Sequence, residues 1–217
     1  MKETLKQLQD KVGSLSTPSK MPGYGYSTSA DDCITGSKLA KVKDSICSIC
    51  YARKGRYVFP NVQNAMKKRL DSLERLDWIE SMVQLIIRKE KSGYFRWHDS
   101  GDLQGVWHLE KIAEVARRLP TINFWLPTRE YKMVSDWLIT CNKSKGRHKI
   151  PANLTIRLSA YMINGQPPTK LAERLGLVTS GVSKNSFNCP SSKQGNKCGD
   201  CRACWDQNVQ NIDYKPH

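Results

Sequence analysis

Apolar and polar positions follow two different periods along this chain, and each change of period predicts a change of element. Residues 1–12 have the spacing of a short amphipathic helix that ends at Gly13, and residues 14–37 have no clear period. From residue 60 to residue 91 the apolar side chains recur at helical intervals. The pattern therefore predicts an N-terminal helix, a loop, and one long helix or two helices with a break near Asp77.

Strand and helix then alternate three times. The predicted strands are residues 94–98, 121–126 and 154–158, and the predicted helices are residues 106–119, 131–141 and 169–175. Residues 176–182 are a candidate fourth strand. Alternation of this kind is typical of a parallel sheet covered by helices with right-handed crossovers. We predict an α/β fold, a compact or incomplete TIM-type barrel, with a doubly wound open sheet as the alternative.

The length sets the domain organisation. A chain of 217 residues can build one sizeable core with a small appendage. We expect a catalytic domain over residues 1–183, including a cysteine-containing loop at 14–60, and a cysteine-rich metal-binding segment over 184–217. The first residues are polar, and no run of 18 apolar residues occurs. These features predict no membrane association and a cytoplasmic location, in the host cell if a phage encodes the protein.

The charge balance points to a polyanionic partner. Lys and Arg number 35 against 20 Asp and Glu, a formal net charge of +15. Neutralisation of phosphates is the commonest use of such an excess, so DNA is the predicted partner, and RNA is not excluded. Acidic membranes and small phosphorylated ligands are the alternatives. The basic clusters are Lys38/Lys41/Lys43, Arg53/Lys54/Arg56, Lys67/Lys68/Arg69, Arg88/Lys89/Lys91 and Lys143/Lys145/Arg147/His148/Lys149.

The last forty residues carry four closely spaced cysteines. Cys198, Cys201 and Cys204 follow a Cys-x2-Cys-x2-Cys pattern, and Cys189 precedes them by nine residues. Four thiolates in a tight loop are typical of a structural zinc site or an iron–sulfur cluster. Disulfides or unpaired thiols are the alternative, and the absence of a secretory signal favours metal.

A second set of cysteines lies near the N-terminus. Cys47 and Cys50 are separated by two residues, and Cys33 lies upstream. Three thiolates suit an iron–sulfur cluster that leaves one iron open to a ligand, or part of a second zinc site. Buried free thiols are the alternative. Cys141, within a predicted helix, is expected to be a core residue.

The carboxyl ends of the predicted strands carry the catalytic candidates, because working groups of such folds lie there. His98, Asp99 and Asp102 follow the first strand, and two crowded carboxylates suit a proton donor beside a base or nucleophile. The alternatives are a helix cap for Asp102, an arginine partner for Asp99 and a core position for His98. Arg129 follows the second predicted strand, and Arg157 lies near the end of the third. Both are candidates for binding a phosphate or a base edge, or for ion pairs with the aspartates.

The run DSGDLQ at residues 99–104 resembles the DSGGFQ motif of tRNA-guanine transglycosylases and of their phage relatives, the deazapurine-DNA transglycosylases (DpdA). Those enzymes are TIM barrels with a thiolate-rich zinc site late in the chain. The resemblance places Asp99 in a base pocket, with Asp102 and Leu103 replacing the family's glycine and aromatic. It implies exchange of guanine in DNA for a free 7-deazaguanine, or base excision if water replaces that base. The predicted substrate-binding residues are Ser100, Gly101, Gln104, Arg129, Arg157 and Tyr161.

The layout of Cys33, Cys47 and Cys50-Tyr51 is similar to that of radical S-adenosylmethionine proteins, in which a cysteine triplet ending Cys-x2-Cys-Tyr precedes a partial barrel. Thirteen residues separate Cys33 from Cys47, which departs from the usual Cys-x3-Cys-x2-Cys spacing. Three hypotheses therefore stand: a nucleobase transglycosylase or glycosylase on DNA, a radical iron–sulfur enzyme, and a non-enzymatic zinc protein that binds nucleic acid.

Overall fold

The computed structural model describes residues 3–143 and 149–216. Within them the chain is α/β, with one sheet of six strands and seven α-helices. The strands are β1 (Gly25–Tyr26), β2 (Tyr94–Trp97), β3 (Asn123–Thr128), β4 (Leu154–Ser159), β5 (Val178–Val182) and β6 (Asn211–Tyr214). The helices are α1 (Leu5–Val12), α2 (Ile34–Leu39), α3 (Pro60–Ser72), α4 (Trp78–Lys89), α5 (Val106–Arg118), α6 (Tyr131–Lys143) and α7 (Thr169–Leu175).

All neighbouring strands are parallel, and their order in the sheet is their order in the chain. The predicted parallel sheet is thereby confirmed. The predicted barrel needs correction, because β1 and β6 are not hydrogen-bonded to each other and the sheet stays open. With six strands, one of them only two residues long, it lacks the eight that close a TIM barrel. The doubly wound alternative is also wrong, since that topology reverses the strand order and this sheet does not.

Several elements differ from the sequence prediction. β1 and α2 lie in or at the end of the stretch predicted as loop, and β6 lies in the cysteine-rich tail. A strand of two residues is too short for an apolar period to show, and β1 exists because it pairs with β2. β6 pairs with β5 from Thr179 to Val182, so the tail continues the sheet of the preceding residues.

The helices follow local signals more closely. Thr4 caps α1 through a reciprocal pair of hydrogen bonds with Gln7, and Gly13 ends the helix in the left-handed conformation. The predicted break near Asp77 is present, since α3 ends at Ser72 and α4 begins at Trp78. No helix among the described residues is long and apolar enough to cross a membrane.

The main core lies between the sheet and the helices. Phe95 and Trp97 of β2 and Phe124 of β3 point into it and form a cluster of rings with centroids 4.9–6.0 Å apart. Apolar faces of α1, α4, α5 and α6 cover these rings. Tyr26 of β1 reaches the same core, where its ring contacts Trp78.

The C-terminal segment covers the opposite face of the sheet. Trp205 packs edge-on against Trp125 of β3 at 5.3 Å between ring centroids, and its Nε1 donates to the carbonyl oxygen of Phe95 at 2.9 Å. Arg157 of β4, with no exposed surface, donates to five backbone carbonyls on this side of the sheet. The tail is therefore held against β2, β3 and β4. The cysteine-containing loop that follows β1 lies instead at the carboxyl edge of the sheet.

Candidate functional site

The N-terminal cysteines lie at the carboxyl edge of the sheet. Cys33 is the N-cap residue of α2, in the loop that follows β1. The next turn of α2 is anchored to the end of β3, since Thr35 donates from its backbone N and its Oγ1 to the two carboxylate oxygens of Glu130, each at 2.7 Å. Charge-assisted hydrogen bonds to a buried carboxylate hold this helix in a fixed position. Cys33 is thus placed over β3 although it follows β1.

Gly36 brings two of the sulfurs together. A Cβ atom at Gly36 would lie 3.5 Å from Cys33 Sγ and 3.6 Å from Cys47 Sγ, so both sulfurs lie close to one point. The same Cβ would be only 2.8 Å from the Cβ of Cys33, which a real side chain would not tolerate. Glycine at this position therefore leaves the space in which the thiols converge.

The loop that carries Cys47 and Cys50 packs on the residues after β4. Ile46 N donates to the carbonyl oxygen of Tyr161 at 2.8 Å, and Ile163 N donates to that of Asp44 at 3.0 Å. Burial raises the pKa of Cys33, and the nearby Asp102, Cys47 and Cys50 raise it further, whereas Arg129 lowers it. Cys33 and Cys47 therefore lie close together, and Cys50 follows Cys47 on the same loop, with the Arg129 guanidinium as a neighbouring cation. These three residues are called the N-terminal thiol group below.

Asp102 is an anchor of this edge. Its Oδ1 accepts from Thr128 Oγ1 at 2.6 Å and from Leu103 N at 2.8 Å, and its Oδ2 accepts from Arg129 N at 2.9 Å. Burial raises the pKa of Asp102 to about 6, against the effect of these donors. The carboxyl group joins the loop after β2 to the end of β3, and both of its oxygens are occupied.

Asp99 has a different environment. Its Oδ2 accepts from Tyr57 Oη at 2.7 Å, while its Oδ1 is buried without a hydrogen-bond partner among the described residues. Ser100 Oγ and Thr28 Oγ1, on the adjoining loops, are buried and unpartnered as well. Buried polar atoms are normally paired, so three such atoms at the ends of β1 and β2 indicate a place where a polar ligand or water belongs.

Gly101 allows the two loops to approach this closely. Its φ of +83° is in the left-handed region, and a Cβ there would overlap the side chain of Thr28 and lie 3.0 Å from its carbonyl oxygen. The backbone N of Thr28 donates to the carbonyl oxygen of Ser100 at 3.1 Å across the same gap. Glycine thus serves the packing of the β1 and β2 loops against each other.

His98 faces away from this edge. Its φ of +53° turns the ring toward α5, where it lies 5.3 Å from the ring of His108. Complete burial lowers the pKa of His98 to about 3, so the imidazole is neutral. This position matches the core alternative for His98 rather than the catalytic one.

The remaining predicted substrate-binding residues are divided by the structure. Arg129 stays at the carboxyl edge, where its Nε donates to the carbonyl oxygen of Ala160 at 3.0 Å and its own carbonyl accepts from Tyr161 Oη at 3.1 Å. Gln104 donates through Nε2 to the carbonyl oxygens of Asp32 and Asp102. Arg157 is used on the opposite face of the sheet, bonded to the tail, and does not join Arg129.

The tail cysteines also form a neighbourhood. Burial raises the pKa of Cys198, with further increases from Cys189 and Cys201 and a decrease from Arg96. Cys189, Cys201 and Cys204 line a pocket of about 330 Å³. Cys204 Sγ lies 3.3 Å from Tyr214 Oη on β6. Three of the four tail sulfurs line one pocket, and the pKa of the fourth, Cys198, responds to Cys189 and Cys201.

Neither cysteine set forms a closed coordination sphere. Within residues 3–143 and 149–216, no three His, Cys, Asp or Glu side chains are arranged so that they would hold a metal ion directly. The seven described cysteines are free thiols. Zinc and iron–sulfur therefore stay predictions at both sets. The side chains of Cys141 and Lys143, and the whole of Lys145, Arg147, His148 and the rest of residues 144–148, lie outside the part of the chain that the structure describes.

Sequence reasoning missed four residues that shape this edge: Thr35, Gly36, Tyr57 and Glu130. Glu130 is the last residue of the Pro-Thr-Arg-Glu run at the end of β3. The sequence shows this carboxylate but does not indicate that Thr35 is its hydrogen-bond partner. Gly36 and Tyr57 lie between β1 and α3, where the sequence has no clear hydrophobic period. The sequence therefore does not indicate what these two residues contact.

The family model described as Gene product 88 matches residues 2–207. No curated protein and no solved structure matches the chain.

Proposed function

The chain belongs to the Gene product 88 family, and from the geometry of its N-terminal thiol group we propose that it is an iron–sulfur enzyme of the radical S-adenosylmethionine type. Cys33, Cys47 and Cys50 would hold the cluster at the carboxyl edge of the sheet. The observation that carries the proposal is the convergence of Cys33 Sγ and Cys47 Sγ on the space beside Gly36. When bound, such a cluster supplies the electron that cleaves S-adenosylmethionine reductively.

The chemistry of the donor set supports this assignment. Thiolate sulfur is the ligand of iron–sulfur clusters, and three cysteines leave one iron free for a ligand. Metal binding releases the thiol protons, and the Arg129 guanidinium stands close enough to offset part of the resulting negative charge. The loop is held in place from two sides, by the hydrogen bonds from Thr35 of α2 to Glu130 and by the backbone hydrogen bonds with Tyr161 and Ile163.

The unpartnered polar atoms in the loops after β1 and β2 would bind the co-substrate. S-adenosylmethionine carries a sulfonium, an ammonium and hydroxyl groups, which suit a carboxylate oxygen and two hydroxyls without partners. Asp99 Oδ1, Ser100 Oγ and Thr28 Oγ1 are those atoms. Tyr57, which donates to the other oxygen of Asp99, would hold the carboxylate in position.

The test is cluster content and product formation on protein purified without oxygen. We expect iron and sulfide, absorbance near 400 nm, and 5′-deoxyadenosine under reducing conditions. Cys33→Ala should abolish 5′-deoxyadenosine formation, whereas Cys189→Ala, in the tail set, should leave the N-terminal cluster in place. A colourless protein with zinc alone, and no 5′-deoxyadenosine, would refute the proposal.

Nucleobase exchange or excision on DNA is the second candidate, and one observation favours it. Asp102 has a pKa raised to about 6 and Asp99 has a free oxygen, so the two carboxyl groups are in unlike environments, as a proton donor and a base or nucleophile require. This second candidate has less support, because both carboxylate oxygens of Asp102 are already hydrogen-bonded. Release of a base from DNA that is lost in both Asp99→Ala and Asp102→Ala would place it first.

A further inference from the structure

A pocket opens beside the N-terminal thiol group, within the loop between Cys47 and α3. Its volume is about 370 Å³, and it is lined by Ile49, Tyr51, Lys54, Gly55, Arg56 and Tyr57. This volume is at the lower end of the range for small-ligand pockets. No residue proposed to bind the cluster or its co-substrate, except Tyr57, takes part in its wall.

The lining combines two aromatic rings with two cations. The rings of Tyr51 and Tyr57 meet edge-on, with centroids 5.7 Å apart. The cations are Lys54 and Arg56, and both are exposed. In the described part of the chain, the ion pair of this loop joins Arg53 to Asp31 at 3.4 Å and does not include Lys54 or Arg56. Between them, Gly55 has no neighbouring atom within 4 Å of a Cβ position, so the rim is open there. Aromatic faces bind bases, and unpaired cations bind phosphates.

The surrounding loop extends the same chemistry. Lys38, Lys41 and Lys43 are exposed on the segment before the pocket, and Asp44 is the acid among them. Val58 and Phe59, just after the pocket, each expose about half of their side-chain surface, 52% and 53%. Cations interleaved with exposed apolar and aromatic groups are typical of surfaces that bind single-stranded nucleic acid.

The pocket is joined to the candidate active site. Tyr51 Oη donates to the carbonyl oxygen of Asp99, and Tyr57 Oη donates to its carboxylate at 2.7 Å. Cys47 and Cys50 belong to the same loop as the lining residues. A ligand held against Tyr57 would therefore lie close to Asp99 and on the loop that carries Cys47 and Cys50.

We propose that this pocket binds one unstacked nucleotide of a single-stranded nucleic acid, with its base against Tyr57 and its phosphates on Lys54 and Arg56, and that it is the substrate site of the enzyme. The role as substrate site rests on the proposed function. The binding itself does not, because it needs neither cluster nor co-substrate. An anionic membrane would use the same cations but not the aromatic walls.

The test is fluorescence anisotropy of labelled single-stranded 12-mers, DNA and RNA, titrated with the full chain between 50 and 300 mM KCl. For Lys54→Ala/Arg56→Ala we expect weaker binding and a salt slope reduced by about 1.4, the value for two phosphate contacts to a single strand. Lys170→Ala/Arg174→Ala removes two exposed charges from α7 and is the matched control. It should change the affinity less than two-fold.

The aromatic wall is tested by Tyr57→Leu, which should weaken binding by about 5- to 150-fold, the range for loss of one stacked base. Tyr57→Phe keeps the ring and should bind like the wild type. Equal losses in the two charge variants, or no loss in Tyr57→Leu, would overturn the proposal. Binding to phosphatidylserine vesicles without binding to either 12-mer would overturn it as well.

The failure of this inference can be distinguished from failure of the proposed function. Anisotropy is to be repeated on Cys33→Ala, which lacks the N-terminal cluster if the proposed function is right. Equal affinity of Cys33→Ala and wild type supports a pocket that binds independently of the cluster. Loss of binding in Cys33→Ala with a folded chain would refute that independence. Iron content and 5′-deoxyadenosine report on the cluster whatever the oligonucleotides show.

Discussion

Replacement of Arg157 by methionine is expected to lower the free energy of unfolding by about 3–5 kcal/mol and to loosen the C-terminal segment. Arg157 has no exposed surface, and its guanidinium donates to the carbonyl oxygens of Thr179, Ala203, Cys204, Asp206 and Val209 at 2.7–3.2 Å. Four of these acceptors belong to the tail, so one side chain holds residues 203–209 against the sheet.

The magnitude follows from these five bonds. Each buried carbonyl left without a donor costs about 1–3 kcal/mol. The sum is reduced because methionine buries no charge and because some of the carbonyls reach water once the tail moves. Arg157→Lys offers three donors instead of five and should fall between the wild type and Arg157→Met.

Urea unfolding gives the free energy, and limited proteolysis or hydrogen exchange over residues 203–209 reports the release of the tail. Arg174→Met is the control, because Arg174 is exposed on α7. A loss below about 1 kcal/mol in Arg157→Met, with unchanged protection of the tail, would refute the assignment of Arg157 as the residue that fastens it.

Three further outcomes are expected. Gly101→Ala should destabilise the fold by more than about 1 kcal/mol beyond Gly176→Ala in urea unfolding, because both residues have positive φ but only Gly101 meets a neighbouring side chain; equal losses would contradict the close approach. Tyr26→Phe should lower the free energy of unfolding by about 1–3 kcal/mol in the same assay, because the buried hydroxyl is hydrogen-bonded to the carbonyl oxygens of Val12 and Arg69 and to Ser72 Oγ. An unchanged free energy would show that these groups find other partners. Hydrogen bonds from Arg75 and Lys11 lower the pKa of Asp77 to about 2, so the stabilisation from Asp77 is present above pH 4 and is lost as the pH falls toward 2. Asp77→Asn should therefore show a smaller fall of Tm than the wild type between pH 4 and pH 2, and parallel curves would contradict this.

The cysteine sets show how far local reasoning extends. Spacing alone grouped Cys33 with Cys47 and Cys50, and the structure brings the sulfurs of Cys33 and Cys47 to the same space beside Gly36. Spacing did not reveal that Glu130, nearly a hundred residues away, anchors the helix that Cys33 caps. A contact between distant segments is set by the sheet, which brings the ends of β1 and β3 to the same edge.

The arginines show the opposite case. The prediction assigned Arg129 and Arg157 to the same face of the barrel, although Arg129 follows β3 and Arg157 lies within β4. In the structure one lies at the carboxyl edge and the other lies under the tail. Successive side chains of a strand point to opposite faces of the sheet. An error of one residue in a predicted strand boundary therefore assigns a side chain to the wrong face.

The sequence by itself determined the α/β class, the parallel alternation and the positions of the helices from α3 to α7. These depend on apolar periods and turn residues, which are local properties of the chain. Only the tertiary structure decided that the sheet stays open, that β1 and β6 form its edges, and that the tail covers one face. Strands as short as β1 gain their stability from pairing with a neighbour, and that neighbour is brought to them by the fold rather than by adjacent residues.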